Sequence, residues 1–203
     1  MNTAHDSGAA ESDAPAVLGE AARRRRRAGV AQCLMAAAPE AVAALDWEML
    51  DRAPAWLALP PDALERFQCQ VGAVLGASAL RLWIDGPRLA AARAALGEPF
   101  LQALLAQPAL TSMPLDLSAR PCIETAAQVG ERLRIAGASV LLAALAHGPL
   151  RRAVGAALAP AEASPLAPEI ARSLIVRAQT LAANRAPTRP GAAATSPASG
   201  SLA

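Results

Sequence analysis

The sequence predicts an all-α protein folded as a single irregular helical bundle, and three observations indicate this class. The chain is rich in Ala, Leu and Arg, which are strong helix formers. Its apolar residues recur at spacings of three and four, and no segment shows the sustained alternation of β-branched residues that is typical of strands. Because 54% of its 203 residues are hydrophobic but only 2% are aromatic, the core must be filled mainly by Leu and Ala.

Three parts are expected along the chain. Residues 1–19 and 186–203 consist mainly of small and polar residues, so they are predicted to be a disordered arm and a disordered tail. Residues 20–185 form the helical domain. The acidic residues Asp6, Glu11 and Asp13 argue against a signal peptide, and no uncharged apolar run reaches the ~20 residues of a bilayer span. We therefore expect a cytoplasmic protein without a membrane anchor of its own.

The first elements are two helices followed by a tryptophan pair. A helix is predicted from Glu20 to Ala38, before Pro39, and a short second helix around Asp46 and Trp47. Trp47 and Trp56 then flank the segment that leads to the next helix. Tryptophan is enriched at binding hot spots, but an aromatic-poor core also needs large side chains. Packing is the preferred interpretation for both residues.

The central block, from residue 57 to 105, contains three helical segments separated by Pro and Gly. Pro60 and Pro61 suit a helix entry, where a missing N–H costs nothing, and the following apolar residues recur at helical spacing. A break at Asp85-Gly86-Pro87 precedes a helix from Arg88 to Leu96. Gly97 then interrupts before a further apolar stripe that begins at Phe100.

After a loop predicted over residues 111–121, a long helix is expected from Cys122 to His147. Gly130 and Gly137 lie seven residues apart on one face of it and would permit a close helix crossing. A final helix is expected after Pro165 or Pro168, with apolar residues along one side.

The charge is uneven, since Arg23 through Arg27 form one contiguous block in a chain of formal net charge +2. One interpretation is a site for nucleic acid or anionic lipid. The preferred one is a solvated, flexible arm leading into the first helix. No aromatic residues alternate with these arginines to stack bases, so nucleic acid is an unlikely partner.

The sequence predicts a non-enzyme without cofactor or metal. Cys33, Cys69 and Cys122 are widely spaced and suggest neither a disulfide framework nor a zinc site. Cys69 as a reactive thiol is the minor alternative. Ser139 and His147 are too far apart on one helix for nucleophile activation. No phosphate-binding loop, dinucleotide fingerprint or HExxH motif is present.

Three stretches carry a family resemblance: LPPDALER, LRLWIDG and RLAAARAALGEPFLQALL. They resemble the YscK (SctK, OrgA-like) family of type III secretion proteins. The resemblance implies a cytoplasmic adaptor of the sorting platform that joins the cytoplasmic domain of the inner-membrane ring protein to the SctQ-type pod protein. It would lie at the cytoplasmic face of the inner membrane and meet the membrane only through its partners.

Partner-contact candidates come from the same block of the chain. Arg81, Asp85, Arg88 and Arg93 are candidates for polar contacts, and Trp83 is the candidate apolar anchor, although ordinary surface charges and a core tryptophan are the preferred interpretation. The alternative function is a helical nucleic-acid-associated or regulatory protein that uses Arg23 to Arg27. A secretion chaperone fits less well, because such proteins are usually smaller, acidic and mixed α/β.

Overall fold

The computed structural model describes residues 19–37, 39–107, 123–158 and 166–183, and all regular elements in these ranges are helical. The prediction of an all-α bundle is confirmed. The α-helices are α1 Glu20–Ala37, α2 Pro39–Val42, α3 Trp47–Arg52, α4 Pro61–Leu75, α5 Ala77–Leu80, α6 Gly86–Leu96, α7 Glu98–Ala106, α8 Val129–Ala143, α9 Pro149–Leu158 and α10 Pro168–Ala183. Short 3₁₀ turns cover Ala55–Ala58 and Ala126–Gln128.

The arginine block belongs to α1, which corrects its interpretation as a flexible arm. α1 begins at Glu20, as the sequence predicts, so all five arginines are helical. The Arg26 side chain donates to the carbonyl oxygen of Ala53, and Arg27 forms an ion pair with Asp51 of α3. These contacts attach α1 to the end of α3 through Arg26 and Arg27, while Arg23, Arg24 and Arg25 lie exposed on the helix. Of the predicted tails, 1–19 and 186–203, all residues except Gly19 lie outside the described residues.

The centre of the bundle is the crossing of α4 and α8. α4 begins with Pro61 at its first turn, and its residues from Phe67 to Leu75 are all buried. Gly72 faces the backbone of Leu133, while Gly137 faces the backbone of Gln68, so the two helices run in opposite directions where they cross. Helix axes usually lie 8–10 Å apart because side chains separate them, and two facing glycines remove that separation.

The remaining helices cover this central pair. α10 packs on α4 and α8, α6 packs on both of them, and α9 lies against α1 and α8. The core is built mainly of Leu, Val and Ala, with Phe67, Phe100 and Trp56 as its buried aromatic residues among those described. Trp47 is 70% exposed, so the packing prediction holds for Trp56 and is wrong for Trp47. Asp46, the residue before Trp47, caps α3 by accepting from the Met49 N–H, so Trp47 is the first helical residue.

The predicted helix from Cys122 to His147 is shorter than expected. A 3₁₀ turn precedes α8, which ends at Ala143, and His147 lies in the exposed turn that follows. Gly148 has a φ of 157°, and Pro149 then starts α9, a helix that the sequence analysis did not predict. Arg151 of α9 donates to the Leu145 carbonyl oxygen at 3.0 Å and holds the turn closed. Cys122 and the predicted loop over 111–121 lie outside the described residues.

Candidate functional site

The most unusual surface in the described part of the chain is the loop between α5 and α6. Leu82 is 80% exposed and Ile84 is 97% exposed, while Trp83 between them is half-buried and packs against the core. We call Leu82, Trp83 and Ile84 the knob. Single exposed aliphatic residues are common on protein surfaces. Two large ones on either side of an anchored tryptophan are not explained by core packing.

The knob is attached to the bundle at its start by Arg81. The Arg81 guanidinium donates to the carbonyl oxygen of Leu104 at 3.0 Å and to that of Gln107. These carbonyls lie at the C-terminal end of α7, where backbone acceptors have no intrahelical partner and where a cation is favoured by the helix dipole. Arg81 therefore serves as a cap for α7 and fixes the first residue of the loop.

The end of the knob is fixed by Asp85 and Arg88. The Asp85 carboxylate accepts from the Arg88 N–H at 2.8 Å, which caps α6, and it also pairs with the Arg88 side chain. These hydrogen bonds, first of all the backbone one, hold the pKa of Asp85 below its usual value. The Arg88 guanidinium lies 5.3 Å from the centre of the Trp83 ring, a cation–π distance, and donates to the Ile123 carbonyl oxygen at 3.3 Å.

The structure thus places four of the five candidate residues in one cluster, but with intramolecular roles. Arg81, Asp85 and Arg88 hold the loop, and Trp83 is its half-buried anchor. Arg93 lies apart from them and pairs with Glu98 at 2.6 Å across the α6–α7 junction, where Gly97 has a φ of 83°. Leu82 and Ile84 are the exposed apolar residues beside this cluster, and neither was among the candidates.

The local sequence around Ile84 does not predict its exposure. Asp85-Gly86-Pro87 is a helix start, with Asp85 as the N-cap and Pro87 in the first turn. The residue before an N-cap lies outside the helix and is free to face solvent. Leu89 stands at the fourth helical position, the usual packing partner of an apolar residue before the N-cap, so the sequence indicates a packed Ile84, whereas the structure leaves it 97% exposed.

A second feature is an apolar groove beside α1. It encloses about 680 Å³, and we call it the α1 groove. Its walls are mostly small or aliphatic side chains: Gly29, Cys33 and Ala36 of α1, Leu59, Leu64 of α4 and Ala157 of α9. Burial raises the pKa of the Cys33 thiol, which is therefore held in its neutral form.

Three polar side chains also line the α1 groove. Glu65 and Arg134 make neither an ion pair nor a side-chain hydrogen bond with the described residues. Gln68 is only 5% exposed, and its amide likewise has no hydrogen-bond partner in the described part of the chain. These three side chains give the groove a polar component beside its apolar walls.

The structure does not bring Ser139 and His147 together as a nucleophile and its base. The Ser139 hydroxyl donates to the Ile135 carbonyl oxygen at 3.1 Å, while His147 lies exposed beyond the end of α8. Burial raises the pKa of the Cys69 thiol to about 11, and the thiol donates to the Gly130 carbonyl oxygen. Cys69 is thus a neutral, buried group, which argues against a reactive thiol.

Within the described ranges, no three His, Cys, Asp or Glu side chains come close enough together to hold a metal ion. None of the described helices has the length and apolar character needed to cross a bilayer.

Fold and surface together define an all-α bundle that carries an anchored apolar loop at one place and an apolar groove at another. No family model matches the chain, and searches of curated proteins and of solved structures also return no match.

Proposed function

We propose that this protein is a non-enzymatic adaptor of a type III secretion sorting platform. It would work at the cytoplasmic face of the inner membrane and link the cytoplasmic domain of the ring protein to the SctQ-type pod protein. The resemblance to the YscK family suggests these partners. The knob is the observation that carries the adaptor function, because it offers an exposed apolar contact on a fixed backbone.

The resemblance and the knob fall on the same part of the chain. The LRLWIDG stretch is the knob with its two anchors, Arg81 and Asp85. LPPDALER covers the entry to α4, and the third stretch covers α6 and α7. The resemblance therefore covers the knob, the helices α6 and α7 that hold it, and the separate entry to α4.

Size and rigidity both favour the knob as a binding contact. Full burial of Leu82 and Ile84 against a partner would contribute about 1.5–3 kcal/mol each. Because Arg81, Asp85 and Arg88 already fix the loop, little conformational freedom remains to be lost on binding. A contact of this kind is suited to a hot spot at the centre of an interface.

The nucleic-acid alternative is weaker than the sequence suggests. Arg26 and Arg27 contact Ala53 and Asp51 within the bundle, and Arg24 pairs with Glu20 at 2.5 Å. Only part of the arginine block is then available for phosphates. A phosphate-driven complex would weaken steeply as salt is raised, which distinguishes it from the adaptor.

The test is a binding assay with purified ring-protein cytoplasmic domain and SctQ-type protein from the same genome. We expect the wild-type chain to bind at least one of them and Ile84→Asp to bind at least tenfold more weakly. Val176→Glu is the matched control, because Val176 is 59% exposed on α10, outside the knob. Circular dichroism and melting temperature should be the same for all three chains. Binding of neither partner, or equal binding by Ile84→Asp, would contradict the proposal.

A further inference from the structure

The side of α1 that faces solvent is basic at one end and apolar at the other. Residues three, four or seven positions apart share one side of a helix, and seven exposed residues of α1 do so. We call them the outer face of α1: Ala21, Arg24, Arg25, Ala28, Gln32, Met35 and Ala36. Two are cations, and the largest apolar side chain, that of Met35, is 51% exposed. None of the seven is acidic, so the outer face combines positive charge with apolar surface.

The positive charge of the outer face does little for the fold. Arg26 and Arg27 contact the end of α3, but Arg25 makes no ion pair and no side-chain hydrogen bond with the described residues. Arg24 pairs with Glu20, yet its side chain is 72% exposed, and such surface pairs contribute little. Contiguous arginines also repel one another, since like charges one turn apart on a helix are destabilising. Charges that cost stability without serving the fold indicate a partner outside the chain.

Trp47 extends the apolar part of this surface. Its side chain is 70% exposed, and it lies four residues before Asp51, so the two share one side of α3. Asp51 is the residue that pairs with Arg27, which places Trp47 on the side of α3 that meets α1. The acidic neighbours of the tryptophan are already engaged, because Asp46 caps α3 and Glu48 forms an ion pair within that helix.

The surface of an anionic phospholipid bilayer matches both components. Its phosphate groups attract arginine side chains, and apolar and aromatic residues are favoured where headgroups meet acyl chains. Nucleic acid would satisfy the arginines, but it has no apolar region to receive Met35 and the alanines of the outer face. The observations therefore favour a bilayer over nucleic acid as the partner.

We propose that the outer face of α1, together with Trp47, binds directly to an anionic phospholipid bilayer. α1 lies along the membrane surface, where Arg24 and Arg25 bind lipid phosphates and where Met35 and Trp47 enter the boundary between headgroups and acyl chains. This contact goes beyond the proposed function, because the family resemblance implies a membrane contact only through partners. It does not use the knob, which stays available to a protein partner.

Co-sedimentation of the purified full chain with vesicles tests the charged half of the contact. We expect binding to phosphatidylcholine vesicles that contain about one-third phosphatidylglycerol, no binding to phosphatidylcholine alone, and weaker binding as salt is raised. The double variant Arg24→Glu and Arg25→Glu should bind at least about tenfold more weakly, since each arginine near an anionic surface contributes roughly fivefold.

The matched control is the double variant Arg152→Glu and Arg172→Glu. It makes the same change in net charge at exposed positions of α9 and α10. It should bind within about threefold of the wild type, because only charges close to the membrane surface contribute strongly. The melting temperatures of all three chains should agree.

The fluorescence of Trp47 tests the apolar half. It is the most exposed of the three tryptophans, so anionic vesicles should shift the wild-type emission to shorter wavelength, and Trp47→Phe should bind without this shift. No binding, equal binding to uncharged vesicles, an equal loss in the matched control, or binding without the Trp47 shift would overturn the proposal. Tighter binding to duplex DNA at the same phosphate concentration would also overturn it and assign the outer face to nucleic acid. Since the assay contains no partner protein, its failure leaves the adaptor proposal standing.

Discussion

Gly72 and Gly137 face each other's helices at the crossing of α4 and α8, each against main-chain atoms of the other. A Cβ atom on Gly72 would overlap the Leu133 carbonyl oxygen, and one on Gly137 would overlap the Gln68 carbonyl oxygen. Both obstacles are backbone, which cannot rotate away as a side chain can. The close approach of the two central helices therefore depends on both positions being glycine.

Gly72→Ala and Gly137→Ala should each lower the free energy of unfolding by at least about 3 kcal/mol, because the helices must separate to admit the methyl group. Urea unfolding followed by circular dichroism measures the change. Gly130→Ala is the control, since a Cβ there meets no atom within 4 Å. It should stabilise α8 by about 0.5–1 kcal/mol, the usual helix preference for Ala over Gly. Equal effects at all three positions would contradict the close crossing.

The same glycines show what could be predicted from the sequence. The spacing of Gly130 and Gly137 predicted a close helix crossing. Gly137 lies at the crossing, whereas Gly130 faces open space. Gly72 was missed, because a glycine within an otherwise apolar stripe gives no information about which partner helix it will meet. Helix periodicity identifies a buried face, whereas the choice of neighbour is a tertiary property.

The exposure of the contact candidates could be predicted only in part, for a related reason. The sequence singled out the LRLWIDG stretch and named its charged residues and Trp83 as candidates. In the structure, Arg81, Asp85 and Arg88 are engaged by helix ends and by Trp83, which leaves the aliphatic residues outside. Which helix end a charged side chain caps depends on the tertiary structure. A single sequence does not show that Arg81 reaches the carbonyl oxygens at the C-terminal end of α7.

Replacement of Arg88 by Lys tests whether the planar guanidinium holds the knob. Lys keeps the charge but cannot both stack on Trp83 and reach the Asp85 carboxylate and the Ile123 carbonyl oxygen. We expect Arg88→Lys to lower the free energy of unfolding by about 1–2 kcal/mol. Amide hydrogen exchange at Trp83, whose N–H donates to the Leu80 carbonyl oxygen at 3.2 Å, should become faster.

Arg93→Lys is the matched control for this substitution. Arg93 pairs with Glu98 at side-chain exposures of 55% and 44%, and such exposed pairs contribute about 0.2–1 kcal/mol. It should change stability by less than about 0.5 kcal/mol and leave exchange at the knob unaltered. If the two lysine variants behave alike, Arg88 does not anchor the loop.

Stability should fall at acid pH through Asp51 and Asp85. The Arg27 side chain lowers the pKa of Asp51, and the Arg88 backbone N–H, first among several contacts, lowers that of Asp85, both below the ordinary value of 3.8. The unfolded chain then binds protons more readily than the folded one. Their contribution is complete above a pH of about 4 and is lost as pH falls through the folded pKa values.

Asn substitutions remove the titration of these two carboxyl groups and leave that of all other groups in place. Asp85→Asn keeps an N-cap for α6, since Asn caps as well as Asp, but removes the titration. The combined variant Asp51→Asn and Asp85→Asn should show a shallower loss of stability between pH 5 and 2, measured by urea unfolding at each pH. An unchanged pH profile would mean that neither carboxylate is held by its arginine.

Cys69 should be almost inert to thiol reagents in the folded protein. Its pKa is raised to about 11, from an ordinary 9.0, chiefly by burial and secondarily by Glu65. A two-unit rise reduces the thiolate fraction at pH 8 about a hundredfold, before steric protection is counted. Alkylation followed by peptide mapping should therefore show Cys69 reacting at least about a hundredfold more slowly than in the urea-unfolded chain. Cys33, half-buried at the α1 groove, should react faster than Cys69. Because the folded pKa is the higher one, stability should also decrease as pH rises from about 9 to 11, where only the unfolded thiol ionises readily. Native alkylation of Cys69 as fast as that of Cys33 would show that the α4–α8 crossing opens far more often than its close packing implies.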